Sequence, residues 1–171
     1  MSSIEDHARW FELSDGTLSY KATIYEALNY TQNCEVLGGF STIRMMDGTG
    51  IKQSQWQKLR ISISGSGGIP PGITDLDYTK VITLKCGAPR AITRATNSFT
   101  VIPPHRTDTG YTPIVFKLVE GFWVSLDATG TGTKFLMIYY PQINAIVNPP
   151  QESYTWDGAS PSSWSIIAEE I

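Results

Sequence analysis

The residues best able to do chemistry stand together at His105-Arg106-Thr107-Asp108, a base, a cation and a carboxylate within four positions. A hydrolase could use His105 and Asp108, but it also needs a nucleophile and oxyanion donors converging on the same point. No G-x-S-x-G elbow supplies the nucleophile. The spacing suits a loop salt bridge between Arg106 and Asp108 better, so no catalytic residue is assigned and no enzymatic activity is expected. His7 and His105 are the only histidines, and neither stands at ligand spacing from a cysteine, so neither a metal site nor a cofactor is expected. Gly65-Ser66-Gly67-Gly68 superficially resembles a phosphate cradle. A P-loop must end in Lys-Ser/Thr and open a helix, whereas Ile69-Pro70-Pro71 follows here. The glycines read as a sheet exit or bulge.

The elements that must carry these residues are strands. The chain has 171 residues with 15 glycines and 10 prolines, and a charged fraction of 17%, below the roughly 25% of ordinary soluble domains. That composition suits short strands and tight turns in a single β domain spanning 1–171. Net charge is −3 with no Lys/Arg cluster, which excludes the basic face of a duplex-DNA binder. No stretch approaches the ~20 apolar residues of a membrane helix, so no membrane insertion is expected. The opening MSSIEDHARW lacks the apolar core of a secretory signal, and synthesis in the cytoplasm is expected. Cys34 and Cys86 are then expected to be reduced and buried.

Ser3 and Asp6 offer a capping-box-like start to one short helix, with Ile4, Ala8 and Phe11 on one face. The competing strand over 9–13, turning at Asp15-Gly16, is favoured, because Leu18, Tyr20, Ala22 and Ile24 alternate with Thr17, Ser19, Lys21 and Thr23. A looser stretch runs over 26–40. The longest alternating feature follows: 41–46, a turn at Asp47-Gly48-Thr49-Gly50, and a return limb over 51–64. In that limb Leu59, Ile61 and Ile63 point one way and Lys58, Arg60, Ser62 and Ser64 the other. An isolated two-stranded ribbon is marginal in water, so its apolar face needs a body or a partner. Further strands are expected over 80–86, 91–102, 114–119, 122–126, 135–140 and 164–168. Nine or ten short strands argue an all-β sandwich or split barrel with a long protruding β-hairpin and at most one short helix.

Trp10, Trp123 and Trp164 lie in apolar strand context and are expected in the core. Trp56, Tyr111, Tyr139, Tyr154 and Trp156 are freer, and of these Tyr111, Tyr154 and Trp156 are candidates for ligand or partner contact. A carbohydrate-binding β-sandwich for host-surface attachment is the alternative reading they support.

Trp56-Gln-Lys58-Leu-Arg60-Ile-Ser-Ile-Ser-Gly-Ser-Gly, followed by Ile69-Pro-Pro-Gly and Leu76-Asp-Tyr78, resembles tail proteins of long-tailed bacteriophages. So do Leu84-Lys-Cys86-Gly-Ala-Pro-Arg90, Arg106-Thr-Asp108-Thr-Gly-Tyr111, Tyr139-Tyr-Pro-Gln142 and Trp164-Ser-Ile-Ile-Ala-Glu-Glu-Ile171. The likeness is to tail-tube-like, distal-tail and tail-tip components as a group, and the first forty residues do not share it. It implies a structural virion protein whose copies form a sixfold or threefold ring at the tube end or tail tip. Other tail proteins or fibres would be its partners, and phage DNA would be only cargo in the channel. The hairpin becomes the assembly arm, with Ile43, Met45, Met46, Asp47, Gly48, Ile51, Trp56, Leu59, Ile61 and Ile63 as interface candidates.

Overall fold

The computed structural model describes residues 11–22, 29–69, 71–97, 99, 103–156 and 161–171. The helix candidate near Ser3, Trp10 and the end of the strand expected through Ile24 lie outside them. Twelve strands are present among the described residues and no helix. They are β1 (Glu12–Ser14), β2 (Ser19–Lys21), β3 (Thr31–Arg44), β4 (Gly50–Gly67), β5 (Ile82–Lys85) and β6 (Arg90–Arg94). The rest are β7 (Ile114–Val119), β8 (Phe122–Ser125), β9 (Phe135–Tyr139), β10 (Gln142–Val147), β11 (Gln151–Tyr154) and β12 (Ser162–Glu170). They hydrogen-bond into one eight-stranded and one four-stranded sheet, and every register described is antiparallel. This is the all-β, two-sheet class the alternation predicts. The chain divides into two compact units, one formed by residues 11–13 with Thr83–Ile143, the other by Ser14–Ile82 with Asn144–Ile171.

In the first unit the four-stranded sheet runs β6-β9-β7-β8. β7 and β8 meet at Glu120-Gly121, both with positive φ (51° and 88°). A two-residue turn needs that pair of left-handed conformations to match the twist of its strands. Because β8 is an edge strand, Trp123 is half exposed rather than in the core, and Phe122 beside it is 73% exposed. Phe11, Leu13, Leu84, Cys86, Met137 and Tyr139 are buried.

In the second unit β12 lies between β4 on one side and β10 and β11 on the other. Within the stretch over 26–40, Thr31 onward is not loose but belongs to β3, which pairs with β4 from Thr31↔Ser64 outward. Polar Thr31, Gln32 and Asn33 weaken the apolar alternation, but the long β4 supplies a template for them. At its other end β4 continues through Gly65 to Gly67, so the sheet does not end where the glycines begin. The reason is steric. Trp164 pairs with Gly65, and a Cβ on Gly65 would stand 2.5 Å from the Trp164 Cζ2 atom. The indole fills the space a side chain would take, and Ile166↔Ile63 and Ala168↔Ile61 continue the same buried row. Each fully buried isoleucine here contributes about 1.5–3 kcal/mol.

Gly65→Ala should therefore displace the indole and destabilise the fold by about 1–3 kcal/mol, the usual range for overpacking. Urea denaturation read by tryptophan fluorescence checks this, and an unchanged midpoint would remove the steric explanation.

Candidate functional site

β3 and β4 form a hairpin within the second unit. Its tip is a turn in which the Gly48 N–H donates to the Met45 carbonyl and the Met45 N–H to the Thr49 carbonyl, both at 2.9 Å. Gly48 has φ +85°, a left-handed conformation that L side chains rarely adopt, and the Asp47 carboxylate accepts from the Thr49 N–H. That hydrogen bond is the main cause holding Asp47 below its ordinary pKa.

The hairpin has a supported root and an unsupported end. β12 covers β4 as far as Arg60, which pairs with Glu169. There the C-terminal residues close over the root. The Glu170 carboxylate accepts from the Leu59 N–H at 2.8 Å, Arg60 Nε lies 3.4 Å from Glu169, and the Lys58 ammonium donates to the Ile171 carbonyl. From Gly38↔Gln57 outward, β3 and β4 pair only with each other among the described residues.

A bulge splits the arm into two chemically different parts. Between Gly38↔Gln57 and Phe40↔Ser54, β4 advances three residues while β3 advances two. Side chains alternate with a period of two, so the extra residue inverts which β4 positions share a face. Leu59 pairs with Val36, but Ile51 pairs with Ile43, which is on the opposite face. The stripe of Leu59, Ile61 and Ile63 therefore does not run on to the tip. Ile61 and Ile63 are fully buried and Leu59 half-buried, so Ile61 and Ile63 belong to the core rather than to an exposed interface. The same inversion puts Lys52 on the face opposite Lys58 and Arg60, ending the single polar face expected from sequence.

The two glycines at the bulge allow close approach. A Cβ on Gly39 would lie 2.8 Å from Trp56 Nε1, and one on Gly38 would lie 2.5 Å from the Phe40 ring. One face of the distal ribbon thus carries Val36 and Phe40, with the Lys52 ammonium 4.7 Å from the Phe40 ring centre. The other carries Trp56, Ile43 and Ile51. Val36, Phe40, Ile43, Met45, Met46, Ile51 and Trp56 are all exposed, Met46 completely. The structure thus brings seven of the ten interface candidates, Ile43 through Trp56, into the exposed segment, and it adds Val36 and Phe40, which the sequence reading left in a loose stretch.

The remaining candidates separate. Tyr111 is buried with the Arg106 guanidinium 3.5 Å from its ring centre, so it is not a contact residue, and Tyr139 is buried as well. Tyr154 and Trp156 are 57% and 87% exposed, their ring centres 5.7 Å apart. Trp164 is in the core as expected. Cys86 is buried and Cys34 half-buried, and neither is in a disulfide.

The His105–Asp108 loop forms a bracket. Arg106, 1% exposed, donates through Nε (3.1 Å) and Nη2 (2.7 Å) to Asp108 and through Nη1 to the Cys86 carbonyl (3.0 Å). Lys85 joins Asp108 (3.7 Å) to Glu12 (3.3 Å). Partial burial pushes the Asp108 pKa up, but the Arg106 hydrogen bond and charge, with Lys85, hold it below the ordinary carboxylate range. A carboxylate held ionised by two cations is a poor proton acceptor at neutral pH. His105 Nδ1 lies 3.0 Å from the Pro103 carbonyl. Among the described residues, no three of His, Cys, Asp and Glu are grouped to hold a metal ion, and no helix is long and apolar enough to cross a membrane.

No protein-family model, curated protein or solved structure matches the chain.

Proposed function

We propose that this chain is a structural virion protein of a phage tail, whose copies form a ring at the tube end or tail tip and connect the tube to tip proteins or fibres. The distal ribbon carries the reading. Seven large apolar side chains there expose two fifths or more of their surface. At about 200 Å² per large side chain they present on the order of 800 Å², which is what one partner contributes to a specific interface of standard size. Spread over both faces of one ribbon, this is more apolar surface than monomers ordinarily leave uncovered.

Three further features support contact with another copy. β3 is the terminal strand of its sheet, fourteen residues long and free of proline, and a long edge without proline offers its unpaired N–H and C=O groups to another strand. The hairpin carries Arg44, Lys52, Lys58 and Arg60 against Glu35 and Asp47, net +2, which leaves the rest of the chain at net −5. An arm and a body of opposite charge favour head-to-tail contact, the kind of interface that closes into a ring. The exposed Phe122 and Trp123 on β8 offer an apolar surface different from the arm, as a heterologous interface requires.

Negative-stain electron microscopy of the purified chain, with analytical ultracentrifugation from micromolar to sub-millimolar concentration, tests the reading. Closed sixfold or threefold rings, or short tubes, are expected. A single monomeric species across that range, with no particles on the grid, would sink it.

A further inference from the structure

The second unit has another face with a different chemistry. On the side of the sheet opposite Ile61, Ile63 and Trp164, strand alternation brings out Thr31 and Asn33 from β3, Ser62, Ser64 and Ser66 from β4, Ser163 and Ser165 from β12, and Gln151 and Ser153 from β11. The registers align them in cross-strand rows. Thr31, Ser64, Ser165 and Gln151 form one row, and Ser66, Ser163 and Ser153 the next. Asn29 extends the second row by donating from Nδ2 to Ser66 Oγ at 3.1 Å. Neighbouring groups recur at about 4.8 Å between strands and about 6.8 Å along them. Ten residues thus present hydroxyl and amide groups with no charge among them. Over 64–66, 151–153 and 163–165 the surface sinks into a shallow depression of about 560 Å³.

We infer that this depression is a binding site for a neutral oligosaccharide. Its only ionisable lining residue is Glu152, which alternation turns to the opposite face, where its charge helps burial push Tyr78 up to about 12. A charged ligand would meet no counter-charge there. The side-chain hydroxyls of Ser64, Ser153, Ser163 and Ser165 and the Gln151 amide make no hydrogen bond to any other described residue. Each can therefore exchange water for a sugar hydroxyl without breaking a contact within the chain. A protein partner would gain little, because protein interfaces draw on an accessible apolar or aromatic centre, and the one aromatic residue lining this depression, Trp164, is only 3% exposed. The exposed rings at the end of β11 lie outside the depression, because alternation turns Tyr154, like Glu152, to the opposite face, and the Trp156 ring lies 5.7 Å from that of Tyr154. The site is separate from the distal ribbon, and so is its test.

Tryptophan fluorescence and saturation-transfer NMR would be recorded on the full chain with glucan, mannan and galactan oligosaccharides, and with galacturonan as the charged comparison. At least one neutral oligosaccharide should bind, and galacturonan should bind at least tenfold more weakly. Ser163→Arg, at an exposed position, and Gln151→Ala should each weaken binding, the arginine by tenfold or more. Absence of binding to every neutral oligosaccharide overturns the inference. So does binding that Ser163→Arg and Gln151→Ala both leave unchanged. A shift in oligomeric state on Ser163→Arg, without saccharide binding by the parent chain, would make the face a protein contact and also overturn it. A chain whose distal ribbon has been removed should still bind, which separates this inference from ring assembly.

Discussion

Replacing residues 39–56 by an Asn-Gly turn should leave a folded monomer that forms neither rings nor tubes. The substitution closes the hairpin just beyond Gly38↔Gln57, and Asn-Gly suits the left-handed pair of a two-residue turn. Everything that holds the root is retained: the β12 pairing as far as Arg60↔Glu169, the Glu170 carboxylate on the Leu59 N–H, and the Lys58 contact to Ile171. The segment removed holds six of the seven exposed apolar side chains, Phe40, Ile43, Met45, Met46, Ile51 and Trp56, and no buried one, so its loss uncovers no core. The melting temperature should stay within a few degrees of the parent, and circular dichroism should report the same β content. Assembly on electron-microscope grids should disappear. If the shortened chain assembles as the parent does, the ribbon is not the assembly arm. A milder variant, Ile51→Glu with Trp56→Glu, charges one face while keeping the bulge. It should weaken association by at least tenfold and leave the fold intact.

Arg106→Leu should produce the largest loss of stability of any single substitution in the first unit. Removing one member of a buried ion pair typically costs about 3–5 kcal/mol. Asp108 keeps about a third of its surface in water, so the lower end applies, roughly 3 kcal/mol, or about 6–12 °C in melting temperature for a chain of this size. The Cys86 carbonyl would lose its buried donor and the Tyr111 ring its cation. Arg106→Lys keeps the charge but cannot reach both Asp108 and the Cys86 carbonyl with a fork, so an intermediate loss is expected.

The pH dependence gives a second readout. Asp108 is held below its ordinary pKa in the folded chain. Its contribution is complete above the unfolded pKa, near 3.9, and disappears as pH falls through the folded value. Asp15 behaves in the same way. Hydrogen bonds from the backbone N–H groups of Leu18, Asp77 and Thr17 lower it from 3.8 to about 2. Urea midpoints measured from pH 7 down to pH 2 should therefore fall below about pH 4. The fall should be shallower in Arg106→Leu, which has already lost the Asp108 share. An acid limb equally steep in both would show that Arg106 does not hold the Asp108 carboxylate ionised.

Strand identity was legible wherever period-two alternation coincided with one-sided burial. Ile82 and Leu84, Met137 and Tyr139, and Trp164, Ile166 and Ala168 are buried as the pattern requires. Turn chemistry was equally local. Asp15-Gly16, Asp47-Gly48 and Glu120-Gly121 all close hairpins or turns, because positive φ at a glycine is a property of two or three residues. The Arg106–Asp108 pair was legible too, since its partners are two residues apart. That Arg106 is buried and roofs Tyr111 was not, because the Cys86 carbonyl it also binds is twenty residues away.

The amino-acid sequence by itself determined that this chain builds sheets, where its turns fall, and that a long apolar-and-polar hairpin exists near its middle. Only the tertiary structure decided what that hairpin presents. Alternation read along one strand cannot register a bulge, because the extra residue has meaning only against the partner strand. Pairing β3 with β4 moves Ile51 to the face opposite Leu59 and leaves Val36, Phe40, Ile43 and Trp56 in water, while Ile61 and Ile63, beside β12 in the sheet, are buried. The pairing of β12 with β4 and β11 likewise aligns serines from three strands into one uncharged face. Both surfaces arise from register, and register is set between strands.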